Sequence, residues 1–390
     1  MTSRRPVRGV AALAAGALVW GLSAAPASAD TIRDQQWALQ AYNAPTKVWP
    51  ISQGDGVTIA VIDTGVEGDH QDLTGQVLPG ADFSGEQSNG QIDTDGHGTA
   101  MASLIAGHGH GDQAGVMGLA PKAKILPVRV ALRDPDNFSA GPDLKFSDAL
   151  RYAVDHGAKV VNMSFGGAMR TDRDARAAVQ YALSRDVVLV ASTGNLGTDY
   201  IDYPAAFPGI VAVGAIDRMG NLWPKSDTGP ETTLVAPGVD IRDAGSKTTS
   251  DYGYADGTSD ATAYVSAIAA LVRSKYPNLT AGQVIRRMIT SAAAPPDGST
   301  VPNARYGYGI ASPSKSLADN PAVDNGPKDN PLLTRVESQG APDTSVAVPV
   351  PAAASSGKDS GLTLWLYVAA GVVVLLIAAG VTFLVRRAAS

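Results

Sequence analysis

The 390-residue chain carries a formal net charge of -6 and no cysteine. An acidic balance gives no general attraction to nucleic acid or anionic lipid, and the absence of cysteine excludes disulfides and thiolate metal sites. The patterned sequence lies between Gly56 and Ala311, so one large domain with appendages fits better than two equal domains.

The chain opens with Arg4, Arg5 and Arg8, an apolar run from Val10 to Leu22, and Ala27-Ser28-Ala29 before Asp30. A charged start, a short apolar run and a small-residue cleavage site predict a secretory signal peptide over 1–29. Pro6 directly after Arg4-Arg5 favours the Sec route over a twin-arginine signal. Residues 30–56 form a short N-terminal extension.

Short β-branched runs follow at Val57 to Ile62, Lys124 to Val130, Lys159 to Met163, Val187 to Ala191 and Ile210 to Val213. They lack polar alternation, as strands buried on both faces do. Phe146 to His156 and Asp174 to Ser184, lying between them, have helical spacing. The expected fold is α/β with a mostly parallel central sheet covered on both sides, and its polar chemistry should gather beyond the carboxyl ends of the strands.

After the domain at 57–311, residues 312–361 are rich in Pro, Ser, Asp, Ala and Gly and predict an extended linker. Leu362 to Val385 is uncharged and long enough to span a bilayer, with Trp365 and Tyr367 near one end and Arg386-Arg387 at the other. The arginines place 386–390 in the cytoplasm and the domain outside the cell membrane, a single-pass topology.

Three glycine-rich junctions carry the chemistry. Asp63 ends the first run in Val61-Ile62-Asp63-Thr64-Gly65, His97 opens a helical segment in Asp95-Gly96-His97-Gly98-Thr99, and Ser259 opens another in Asp256-Gly257-Thr258-Ser259. Each alone reads as a turn residue or a helix cap. Together they stand in the order Asp, His, Ser. A serine hydroxyl needs a base, for which His97 is suited, and the imidazole needs a buried carboxylate, for which Asp63 is suited. Ser259 at a helix N-terminus gains a backbone amide beside the developing oxyanion.

From Val57 to Pro277 the chain resembles the subtilase family of serine proteases, on Val61-Ile62-Asp63-Thr64-Gly65, His97-Gly98-Thr99, Asn195 after Ser192-Thr193-Gly194, and Gly257-Thr258-Ser259. The resemblance implies a subtilisin-like three-layer sandwich and a serine endopeptidase acting on polypeptides without a cofactor. It implies Asn195 as the second oxyanion donor; beside Gly194, an asparagine that only forms the turn is the other reading. It further implies that Ser164-Phe165-Gly166-Gly167 pairs with substrate backbone, and that Ser192, Thr193 and Gly194 with the glycine pair wall the pocket before the scissile bond. One departure stands out: Asp260-Ala261-Thr262-Ala263 follows the serine where the family usually has Met-Ala and then a proline two residues on, and an acid there should disfavour acidic substrates or raise the pKa of His97.

His70-Gln71-Asp72-Leu73 resembles a family turn whose aspartate often serves calcium, but the loop from Gly107 to Val116 lacks a matching array of oxygens. His108 and His110 have no third ligand nearby in sequence and read as loop residues, so no metal is expected. The short N-terminal stretch and C-terminal anchor are similar to mycosins, the membrane-anchored subtilases associated with type VII secretion, which implies a type VII secretion membrane complex as partner. Two roles stay open, an active endopeptidase and a structural component of such a complex.

Overall fold

In the computed structural model the described residues are 31–132, 144–167, 169–245 and 248–335. The expected signal peptide, membrane span and cytoplasmic tail lie outside them, and among the described residues no helix is long and apolar enough to cross a membrane. The chain divides into one unit from Met1 to Ala341 and another from Pro342 to Ser390, and the described residues all belong to the first.

In chain order this unit forms α1 (Trp37–Ala41), β1 (Thr58–Asp63), β2 (Ala81–Asp82), α2 (His97–Ala106), β3 (His108–His110), β4 (Ala114–Met117), β5 (Lys124–Arg129), α3 (Phe146–Asp155) and β6 (Val160–Met163). It continues with α4 (Arg173–Ser184), β7 (Val188–Ser192), β8 (Val211–Ile216), β9 (Thr232–Pro237), β10 (Ile241–Ala244), β11 (Tyr252–Ala255), α5 (Thr258–Lys275), α6 (Ala281–Thr290), α7 (Pro313–Ser316) and α8 (Pro321–Asp324). Seven strands make one sheet in the order β2-β5-β1-β6-β7-β8-β9, with every neighbouring pair parallel. β10 and β11 form a separate antiparallel ribbon.

Successive strand side chains point to opposite faces, and here both faces are covered. Ile59 and Val61 of β1 and Val188 and Val190 of β7 pack with Met101 and Leu104 of α2 and Val265 and Ile268 of α5. Ala60, Ile62, Leu189 and Ala191 pack instead with Leu150 of α3 and Val179 of α4. This double burial is why the runs show no polar alternation. α5 is buried from Thr258 through Arg273, as a helix apolar on most sides requires. The junctions that carry Asp63, His97 and Ser259 therefore stand on a packed frame.

The expected linker does not begin at residue 312. Leu317, Val323 and Leu332 are buried against the domain. The Arg287 guanidinium, itself buried, donates to Asp324 at 2.7 Å and to the carbonyls of Ser316 at 3.0 Å and Ala318 at 2.6 Å. Arg335 donates to the carbonyls of Glu231 at 2.7 Å and Ala205 at 2.9 Å. Isolated apolar residues among Pro, Asn and Asp carry no periodicity, and arginines bonded to distant carbonyls are invisible in sequence. The packed chain extends at least to Arg335.

The N-terminal extension is also packed. Trp37, Leu39, Ala44 and Val48 join the core, Trp37 Nε1 donates to the Val239 carbonyl at 3.0 Å, and the Gln36 amide exchanges two 2.8 Å bonds with the Met117 backbone.

Candidate active site

β1 ends at Asp63, which is fully buried, and α2 begins at His97, two segments brought together by a backbone contact that only glycine allows. A Cβ on Gly98 would collide with the Gly65 carbonyl oxygen. With that contact made, His97 Nδ1 lies 2.7 Å from Asp63 Oδ1, which also accepts the Thr64 amide at 2.8 Å. Nδ1 facing a carboxylate must carry its proton there, which leaves Nε2 as the basic nitrogen.

Asp93, just ahead of the His97 motif and not singled out from sequence, holds this helix start in place. Its Oδ1 accepts the amides of Asp95 at 3.1 Å and Gly96 at 2.9 Å and the Thr64 hydroxyl at 3.0 Å. Its Oδ2 accepts the Thr99 amide at 2.9 Å and hydroxyl at 2.7 Å. Asp93 thereby satisfies the Thr99 amide of α2 and ties the helix start to the turn after β1, where the Thr64 hydroxyl accepts the Gly98 amide at 3.0 Å. Burial drives the His97 pKa down, but the Asp63 charge and hydrogen bond, with Asp260 and Asp93 behind, outweigh it and hold the imidazole above its ordinary value.

Ser259 is the second residue of α5, 5 % exposed, and its Oγ donates to the Ser164 carbonyl at 3.3 Å. The Ser164 hydroxyl returns a bond to the Ser259 carbonyl at 3.1 Å, and Asn162 joins Ser164 and Ser266 at 3.0 Å each. The end of β6 is thus stitched to the first turns of α5. Asn195 Oδ1 accepts the Thr258 amide at 2.9 Å and the Thr258 hydroxyl at 2.8 Å. Because the oxygen takes both donors, Nδ2 is the free-facing donor of the amide. Ser259, His97 and Asn195 line one cavity of about 470 Å³.

The remaining expected residues are placed less uniformly. Phe165 points into the core, where its ring meets Phe146 edge-on at 6.3 Å, so its side chain belongs to packing. The Gly167 amide and carbonyl are bonded to Tyr203, Ser164 and Phe165 are buried, and of the four residues Gly166 alone is partly exposed. Ser192 ends β7, the Thr193 amide bonds to Val213, and Gly194 has a φ of +116° with Asp227 packed where a side chain would stand. Asp72 is already satisfied by Val116 N at 2.7 Å, Tyr252 OH at 2.8 Å and His110 Nδ1 at 2.6 Å. Its donors are protein groups, which does not fit an aspartate that ligates a cation. His108 turns the other way, to the Thr74 carbonyl at 2.9 Å.

The family model described as Subtilase family matches residues 54–309. The chain is 37% identical over 241 residues to thermitase of Thermoactinomyces vulgaris, covering 62% of this chain and 83% of that protein. It is 38% identical over 231 residues to the thermophilic serine proteinase of Bacillus sp. (strain AK1), covering 59% of this chain and 55% of the relative. Among solved structures it resembles the serine protease MycP1, described as an essential component of the type VII (ESX-1) secretion system, with a TM-score of 0.62, 30% identity and coverage of 74% of this chain and 89% of that one. A parallel α/β frame, the Asp63–His97 pair beside Ser259 and a family match over most of the chain agree, and the chain belongs to the subtilase family of serine endopeptidases.

Proposed function

We propose that this protein is an exported, membrane-anchored endopeptidase in which Ser259 is the nucleophile, His97 the general base and acid, and Asp63 the carboxylate that holds the imidazole. The observation that carries the reading is the 2.7 Å bond from His97 Nδ1 to buried Asp63, on the wall of the cavity that holds Ser259. In the acylation step Oγ bonds to the peptide carbonyl carbon as its proton passes to Nε2 of His97, and the carbonyl oxygen becomes anionic. That proton then goes to the departing amine as the C–N bond breaks, and water repeats the sequence to release the acid. The Ser259 amide at the start of α5 and Asn195 Nδ2 face the developing oxyanion. Ser164 to Gly166 pairs with the substrate backbone, and Ser192 to Gly194 forms the wall before the scissile bond.

Mass spectrometry of the protein treated with a fluorophosphonate should find the adduct on Ser259, and its absence there would refute the assignment. Asn195→Ala should lower kcat by about 10²–10³ with KM nearly unchanged, since its bond strengthens only as the oxygen gains charge; the magnitude is the one known for subtilisin, a member of the same family. A change confined to KM would assign Asn195 to substrate binding instead.

The signal peptide expected at 1–29 and the span expected at 362–385 support an activity on the outer face of the cell membrane. A second role, as a component of a secretion complex, is favoured by the likeness to MycP1, whose description makes it essential to the type VII (ESX-1) system. An anchor raises effective concentration only for partners in the same membrane. In cells, Ser259→Ala should then support export while a chain ending at Lys358 fails, with proteolysis as a regulatory layer. Full export with the truncated chain would refute the structural role.

A further inference from the structure

The cavity that holds Ser259 extends away from Ser164 to Gly167, and none of those four is among the residues lining it. Its walls are the start of α2, the β10–β11 ribbon and the start of α5. His97 stands on this side, and His97 must hand its proton to the departing amine. The cavity therefore receives the residue that follows the scissile bond.

Its lining is acidic. Asp95, Asp243, Asp251, Asp256 and Asp260 all contribute, and among the described residues no lysine or arginine lines it. Asp260 is 1% exposed, and its Oδ1 makes no hydrogen bond among the described residues. Asp243 is 4% exposed and faces it from β10. A buried carboxylate oxygen without a donor is unfavourable by about 1–3 kcal/mol or more. An entering ammonium or guanidinium supplies that donor together with an opposite charge.

We propose that Asp260 and Asp243 form a subsite for the lysine or arginine side chain of the residue immediately after the scissile bond. This rests on the protease reading only for the direction in which substrate lies. At about 470 Å³ the cavity is within the size range of small ligand pockets and has room for a long side chain.

The free pair is set to exchange a proton for a cation. Burial, then the Asp243 charge, raise Asp260 well above the carboxylate range, and burial raises Asp243 to about 6. His97 on α2 and Arg242 on β10 oppose the shift of Asp243; Asp256 adds to that of Asp260. Asp95 on the loop before α2 is itself raised, first by burial, and Tyr264 of α5 is raised by burial and by these acids. Arg242 is occupied with the Tyr254 ring, 4.6 Å below its guanidinium, and with the Gly253 carbonyl at 3.1 Å. A bound cation favours the ionised pair, so the preference should be strong above pH 6 and fade as pH falls and protons compete for Asp243 and Asp260.

The test uses the Ser259→Ala protein, which keeps the subsite without turnover. Binding of peptides that differ only in lysine, arginine, alanine or glutamate after the bond is measured by calorimetry at pH 7.5 and pH 5. Lysine and arginine peptides should bind about 10- to 100-fold more tightly than the alanine peptide at pH 7.5, the range of a charge-assisted hydrogen bond. The ratio should shrink at pH 5. Equal affinities, or a preference indifferent to pH, would overturn the proposal. Asp243→Asn and Asp260→Asn, in the Ser259→Ala background, should each bring the ratio towards one, and an unchanged ratio in both would also overturn it. The wild-type protein is assayed for hydrolysis of the same peptides. A basic preference in binding without hydrolysis would remove the protease reading and leave the subsite standing; hydrolysis with equal binding would do the reverse.

Discussion

Ser259→Ala is expected to abolish fluorophosphonate labelling and to lower kcat by about 10⁶-fold, a magnitude known for subtilisin within this family and carried over from it. Removing the hydroxyl removes the atom that forms the acyl bond, so His97 and the oxyanion donors have only water to assist. The fold should hardly notice. Ser259 Oγ makes a 3.3 Å bond to the Ser164 carbonyl, long for a hydroxyl donor, and its loss costs about 1 kcal/mol at most. A melting curve within a few degrees of wild type, alongside lost labelling, is the predicted pair of results. Undiminished labelling would place the nucleophile elsewhere.

Asp63→Asn should lower kcat by about 10⁴-fold, the scale seen when a serine-protease triad loses its carboxylate charge. The amide is nearly isosteric and can still accept the Thr64 N–H, so geometry is largely kept while the charge opposite the imidazolium is lost. The pH profile supplies a second, independent sign. His97 accepts a proton only when neutral, so kcat/KM rises with pH through the His97 pKa, which lies above its ordinary 6.5 chiefly because Asp63 overcomes the effect of burial. Removing that charge should move the rising limb to lower pH even as the plateau falls. A lower plateau with an unmoved limb would mean that Asp63 acts on something other than His97.

The strands that could be read in advance are those with both faces buried. Val57 to Ile62 and Val187 to Ala191 were legible as unbroken β-branched runs, and the observed β1 and β7 differ from them by one residue at each end. β9 was not, because Thr232-Thr233 opens it and Pro237 closes it, and β10 carries Arg242 and Asp243, which reads as surface. α6 had a readable start in the Thr280–Gln283 capping box, but its apolar face is short. At the site, motif residues stood out because glycines surround them. Asp243 acts across the fold, on Asp260, so no local pattern could mark it, whereas Asp93 bonds to Asp95, Gly96 and Thr99 close by in sequence and needed the fold only for its bond to Thr64. Asp260 was visible as a departure from the family pattern; its unpartnered oxygen needed three dimensions.

The packed N-terminal extension has a consequence for how this enzyme can be controlled. Trp37, Leu39 and Val48 are nearly fully buried, and each such side chain contributes about 1.5–3 kcal/mol, against a typical total stability of about 5–15 kcal/mol. Trp37 also bonds to the carbonyl of Val239, just ahead of the ribbon that walls the cavity, and Tyr254 OH on that ribbon bonds to Gln35 at 2.8 Å. Residues 31–56 thus behave thermodynamically as the opening element of the domain. A cut that freed them would enlarge the unfolded population and loosen the cavity wall, whereas a detachable inhibitor would leave a finished enzyme behind.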